Sequence, residues 1–129
     1  MLLDTHALLW LLDDVPALGP RARAAIANAA LVHASAASVW EVAIKVARGR
    51  LAASPDFLTQ VEEASLRWLP VTPRHAWTVQ TLEGLAQGDP FDRLLVAQAA
   101  EENLTFVSAD RAILGASLTP AITVLDARL

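Results

Sequence analysis

The stretch Gly88-Asp89-Pro90-Phe91-Asp92-Arg93-Leu94-Leu95-Val96-Ala97-Gln98-Ala99-Ala100 decides how the chain is read. Asp89 followed by Pro90 marks a helix start. Asp is a favoured N-cap, and Pro fits the first helical position, where its missing N–H is not needed. Asp92 then falls in the first turn, where the positive end of the helix dipole favours a carboxylate. Leu95, Val96 and Ala99 keep helical spacing and would bury one face. A carboxylate is thereby held at a rigid helix mouth, with its backbone anchored in a core. Acidic first turns are common, so the meaning of Asp92 depends on where the other carboxylates lie.

Working outward, strands alternate with helices. Downstream, residues 104–108 (Leu-Thr-Phe-Val-Ser) are the clearest strand, 110–114 a short helix and 121–125 a last strand. Upstream, Thr72-Pro73 repeats the cap-then-proline signal and predicts a helix to about Ala86. Residues 68–71 read as a short strand, and a helix from Ser54-Pro55 to about Arg67 precedes it. Ser38 and Glu41 have capping-box spacing at the start of a helix that Gly49 stops. Residues 31–34 form a strand, and a helix from Arg21 to about Ala29 follows Gly19-Pro20. Residues 1–3 form the first strand. It ends at Asp4 and leads into a helix over 5–13 that is apolar all round and must be covered on most sides. Such alternation requires crossovers and a mostly parallel sheet, an α/β fold.

The 129 residues predict one domain over 1–129, with no internal repeat or linker, that buries about two-thirds of its unfolded surface. Hydrophobic residues make up 54% and charged ones 19%, a balance suited to a sheet covered on both faces, with some surface left for a partner chain. No cysteine is present, which excludes disulfides and thiolate metal sites and points to a reducing compartment. The run 7–12 is too short for a membrane span and lacks the basic flank of a secretory signal, so a cytoplasmic protein is expected. A net charge of −4 argues against a protein held to nucleic acid by bulk charge. Basic residues are local instead: Lys45, Arg48 and Arg50 sit together, and Arg93 and Arg111 each follow an Asp.

In an open parallel sheet, sites form outside the carboxyl ends of the strands. Asp4 and Asp110 follow strand ends, and Glu41 and Asp92 lie near helix starts that open toward the same edge. Singly, each is more often structural: Asp4, Asp89 and Asp110 as caps, Glu41 as half of a capping box. Together they suggest a shared site. Two unit charges ~4 Å apart repel by about 4 kcal/mol at an effective dielectric near 20. Either their pKa values rise or a cation sits among them. Oxygen-only donors suit Mg²⁺ or Mn²⁺ rather than zinc. His33 and His75 fall in other segments, and His6, two residues past Asp4, is expected to cap or pack rather than ligate. A hard divalent ion in an acidic cluster serves phosphodiester hydrolysis by binding a phosphate oxygen and acidifying a water.

Four blocks carry a resemblance. They are Met1-Leu2-Leu3-Asp4-Thr5-His6-Ala7, Trp40-Glu41-Val42-Ala43-Ile44-Lys45 with Gly49-Arg50-Leu51, Asp89-Pro90-Phe91-Asp92-Arg93-Leu94-Leu95, and Val107-Ser108-Ala109-Asp110. In this order they resemble PIN domains, and more narrowly the VapC-type toxins of toxin–antitoxin pairs. The resemblance covers nearly the whole chain, and the Asp-Pro-Phe-Asp-Arg block is its most specific part. It implies a three-layer α/β/α sandwich and a Mg²⁺- or Mn²⁺-dependent endoribonuclease. It also implies a homodimer held inactive by a small antitoxin protein. By motif, the family's acidic residues fall on Asp4, Glu41, Asp92 and Asp110, with hydroxyls at Thr5 and Ser108 and Arg93 after the third acid. Relatives of this subtype often carry His ahead of Asp-Pro-Phe-Asp, where this chain has Gln87-Gly88, and RNA contacts there are expected to differ.

On this reading Asp4, Asp92 and Asp110 hold the principal metal, and Glu41 completes the set. Lys45, four residues after Glu41 on one helical face, neutralises part of the cluster or forms an ordinary intrahelical ion pair. Arg48, Arg50, Arg93 and Arg111 are candidates to grip RNA phosphates. Trp10, Trp40, Trp68 and Trp77 could stack bases but are expected in the core or an interface. The rival from another class is a catalytically inert PIN-like module that binds RNA or an antitoxin. Haloacid-dehalogenase-like phosphatases are disfavoured by His6, which stands where they carry a second Asp. Receiver domains are disfavoured because the only Lys is Lys45.

Overall fold

The structure, a computed structural model, describes residues 1–85 and 88–129. Strands β1 (Leu2–Leu3), β2 (His33–Ser35), β3 (Arg67–Leu69), β4 (Phe106–Ser108) and β5 (Val124–Asp126) form one sheet. Their order is β3-β2-β1-β4-β5, and every pairing is parallel. The helices are α1 (Thr5–Leu12), α2 (Pro20–Asn28), α3 (Ala36–Ala47), α4 (Phe57–Glu63), α5 (Pro73–Thr78), α6 (Pro90–Glu101) and α7 (Arg111–Leu114).

Side chains alternate across a strand, so neighbouring residues of a buried strand enter opposite layers. Leu3 and Val107 join one apolar cluster with Ala7, Leu8, Val42 and Val61. Leu2 and Phe106 join another with Leu69, Leu95, Val96 and Ile113. Helices therefore cover both faces of the sheet, and the expected three-layer α/β/α arrangement is met. This is why the central strands read as unbroken apolar runs.

Several local expectations differ. The second strand and its helix lie elsewhere in register: Ser35, not Ser38, caps α3, its Oγ accepting from Ala37 N at 3.0 Å. Ser38 and Glu41 are therefore interior to α3, and the expected capping box does not exist there. Helix α4 is shorter than expected and begins after Asp56 rather than Ser54. Helix α5 stops at Thr78 and passes into a 3-10 turn, Val79–Thr81, rather than running on to Ala86. The β-branched Thr78, Val79 and Thr81 are poor helix formers. Beyond them Glu83 bridges Thr119, and Gly84 has φ +97°. Ala86 and Gln87 lie outside the described residues. In α1 only Thr5, Ala7 and Leu8 are buried, while Leu9 to Leu12 are half-buried. Trp40 and Trp77 stand out from the surface, 60% and 74% exposed, so neither belongs to the core.

A buried polar chain fixes α6 against α3 and α5. Ser35 Oγ donates to Gln98 Oε1 at 2.5 Å, and Gln98 Nε2 donates to the Pro70 carbonyl at 3.2 Å. His75 Nδ1 accepts from Thr72 N at 3.1 Å, which leaves Nε2–H to meet Glu102 Oε1 at 2.8 Å. Gln98 and His75 are almost wholly buried, so each lost bond strands a desolvated group. Gln98→Ala is expected to destabilise the fold by about 2 kcal/mol or more, read as a lower midpoint in urea unfolding. A change under ~0.5 kcal/mol would show that the chain of bonds does not hold α6 in place.

Candidate active site

Strands β1 and β4 are neighbours in register, Leu3 opposite Val107, so their next residues emerge together at the carboxyl edge. Asp4 caps α1: its Oδ1 accepts from Ala7 N at 2.7 Å. Its Oδ2 accepts from Ser108 Oγ at 2.6 Å, and the same hydroxyl accepts from Asp110 N at 3.0 Å. Asp110 in turn caps α7 through Ala112 N and Ile113 N, at 2.8 and 3.1 Å. Asp4 and Asp110 are thus helix caps, and one hydroxyl also links them.

Glu41 comes from the second turn of α3, beside Thr5. Thr5 Oγ1 donates to Glu41 Oε1 at 2.7 Å and lies 3.0 Å from Ser38 Oγ. Lys45 Nζ donates to Glu41 Oε2 at 2.7 Å, one helical turn on. Asp92 stands in the first turn of α6, as expected. Asp89 Oδ1 takes the capping bonds from Phe91 N and Asp92 N, at 2.8 and 3.3 Å, so the Asp92 carboxyl is left free of the cap.

Electrostatics join these groups. Burial, and then the charges of Asp89, Asp110, Asp4 and Glu41, push the Asp92 carboxyl up to about 7. Burial also raises the Asp4 carboxyl, against the bonds from Ser108 and Ala7 that favour its charged form. Among the described residues no three His, Cys, Asp or Glu side chains are gathered closely enough to hold an ion as they stand. The carboxylates share a field rather than a preformed cage. A set made of carboxylate and hydroxyl oxygens, charged enough to hold a proton near neutrality, fits a hard divalent cation.

The remaining sequence candidates divide. Thr5, Ser108 and Lys45 touch the acidic side chains directly. Arg93 Nη2 donates to the Val79 carbonyl at 3.1 Å and so ties α6 to the 3-10 turn. Arg48 and Arg50 flank Gly49, which turns with φ +69°, nearly two turns beyond Glu41 and about 10 Å along the α3 axis. Arg111 is exposed beside Asp110. Gln87, the position of the departure from VapC-like relatives, is outside the described residues. Two features had no sequence signal: Arg128, which donates to the Ala109 carbonyl from far along the chain, and an edge-on pair of Trp40 and Phe91 rings 5.1 Å apart.

Without a divalent ion the folded protein holds a proton on Asp92 that the unfolded chain, titrating at 3.8, has already released. Between about pH 4 and 7 the native state therefore binds more protons, so stability falls as pH rises and the loss is complete above 7. In chelator, Asp92→Asn is expected to melt a few degrees above the parent at pH 8, with the gap closing by pH 4. Equal melting temperatures at both pH values would remove Asp92 from the shared field.

The PIN domain pattern matches residues 1–116. The chain is 30% identical over 113 residues to ribonuclease VapC22 of Mycobacterium tuberculosis, covering 86% of this chain and 87% of that one. Among solved structures it is similar to VapBC2 of Rickettsia felis bound to a promoter DNA fragment, with a TM-score of 0.67, 12% identity and 96% of each chain covered. It is also similar to a toxin–antitoxin complex from Klebsiella pneumoniae, with a TM-score of 0.59, 17% identity and 88% and 90% coverage. The acidic edge built by β1, β4, α3 and α6 is therefore that of a protein that belongs to the PIN-domain family.

Proposed function

We propose that this chain, a single PIN-like domain over residues 1–129, is a Mg²⁺- or Mn²⁺-dependent endoribonuclease and the toxin of a toxin–antitoxin pair. The observation that carries the reading is geometric: Ser108 links Asp4 to Asp110 at the ends of neighbouring strands, and Thr5, next to Asp4, holds Glu41. Burial of Asp92, and then charges that include Asp110, Asp4 and Glu41, raise its carboxyl to about 7 in support. Carboxylates crowded at one sheet edge are unfavourable unless they hold something positive.

Asp4, Asp92 and Asp110 would hold the ion, with Glu41 completing the set. A divalent ion there would neutralise the carboxylates, polarise a phosphate oxygen and make a nearby water a better nucleophile. Ser108 fixes one oxygen of Asp4, and Thr5 and Lys45 fix the two oxygens of Glu41. These three residues limit the conformations of the acids before substrate arrives, so less ordering remains to be done in the complex. Among the proposed RNA-gripping residues Arg111 is exposed beside Asp110; Arg48, Arg50 and Arg93 are further candidates.

The kinship with VapC22, and with structures described as VapBC2 and as a toxin–antitoxin complex, supports an antitoxin partner. A homodimer and a cytoplasmic setting belong to the same proposal. Among the described residues no helix is long and apolar enough to cross a membrane. An inert module that binds RNA or antitoxin is the alternative.

The purified chain is expected to cleave single-stranded RNA with Mg²⁺ or Mn²⁺ and not in chelator. Asp4→Asn and Asp92→Asn are each expected to lower the rate by about a hundredfold or more, the scale of losing one stabilising group from an active site. Sequencing of the cleaved ends reads the substrate preference. RNA binding without cleavage would favour the inert module, and unchanged cleavage by both variants would place the activity elsewhere.

A further inference from the structure

Beside Asp110 opens a cleft of about 370 Å³ lined by His6, Trp10, Ala109, Asp110, Arg111 and Arg128. We propose that it is a nucleotide subsite, in which Trp10 and His6 take a nucleobase while Arg111 and Arg128 take its phosphate. The proposal rests on the RNA-cleaving reading and assigns the cleft to the nucleotide next to the broken bond.

Four observations carry it. The cleft shares Asp110 with the acidic edge, so a nucleotide lying in it would adjoin a phosphate placed at the carboxylates. Its volume falls within the range of small-ligand sites, about 300–1,000 Å³. Larger hollows of about 780, 670 and 470 Å³ are lined by none of the four acids. The aromatic part is held by the fold: the His6 and Trp10 rings lie 6.3 Å apart at 54°, and the Arg128 guanidinium sits 5.8 Å from the Trp10 centroid.

The second fixed part is Arg128. It donates to the Ala109 carbonyl, and its backbone N donates to Asp126 Oδ1 at 2.8 Å. Behind it Gly19 N donates to the Ala127 carbonyl at 2.8 Å, and any side chain at Gly19 would collide with the Arg128 backbone. Two cations thus stand at one end of a strongly acidic edge in a chain of net charge −4. An RNA strand repelled by the carboxylates needs such local positive charge, and aromatic faces hold bases of any sequence.

The test is a titration of the ¹⁵N-labelled chain in chelator, following the four indole N–H resonances. The probes are each ribonucleoside 5′-monophosphate and a mixed-sequence single-stranded RNA hexamer. The Trp10 resonance, assigned with Trp10→Phe, is expected to move, and Arg111→Gln and Arg128→Gln are each expected to weaken binding about fivefold or more. Arg111→Gln is also expected to raise KM for RNA by about fivefold with kcat within about twofold. Arg111 has no side-chain hydrogen-bond partner among the described residues, so this variant serves should Arg128→Gln unfold the segment around it. A Trp10 resonance that stays still with every probe, or moves equally in the double Arg variant, overturns the subsite whether or not the chain cleaves RNA. Movement of Trp10 without RNA cleavage would keep the cleft as a nucleotide site and overturn the nuclease reading instead.

Discussion

Like charge confined in a small space is the constraint around which the molecule is arranged. Asp4, Glu41, Asp92 and Asp110 come from four separate segments, and a folded chain gains nothing by bringing carboxylates into one another's field. The protein answers part of the repulsion with its own groups. Ser108 and the α1 amide at Ala7 hold Asp4, the α7 amides hold Asp110, and Thr5 and Lys45 hold Glu41. Asp92 receives none of these, and burial first, then the neighbouring carboxylates, raise its proton affinity. On the proposed reading, a divalent cation would balance that charge.

The sheet makes this crowding possible. Parallel strands deliver their ends to one edge, and the returning helices bring their starts to the same edge. Asp4 and Asp110 follow neighbouring strands β1 and β4, while Glu41 and Asp92 ride on α3 and α6. The Ser35–Gln98 bond joins those two helices beneath the acids. Position at the site thus depends on bonds made inside the core, between residues that carry no charge.

Much of this was legible in the sequence because the signals were local. Asp89-Pro90 gave the start of α6 to the residue, and apolar runs gave the buried parallel strands. The acids were legible as types and positions, though not as caps and cluster members at once: Asp4 and Asp110 are both. Ser38 and Glu41 misled for a physical reason. Their spacing satisfies a capping box, but Ser35 sits where the strand ends and takes the cap, which turns Glu41 inward to Thr5. Exposure of Trp40 and Trp77 was equally hidden, since hydrophobicity records a tendency to be buried and not the side of the helix a residue occupies. Arg128 had no local signal at all, because its partner is a carbonyl 19 residues away.

Whether the carboxylates act on one another is the point on which the account stands, and the Asp92 side chain reports it directly. Its carboxyl carbon resonance, followed by NMR across pH in chelator, is predicted to titrate near 7 and to move down on addition of Mg²⁺ or in the Asp4→Asn variant. A midpoint at the ordinary value of an exposed aspartate, unmoved by the ion and by the variant, would contradict it.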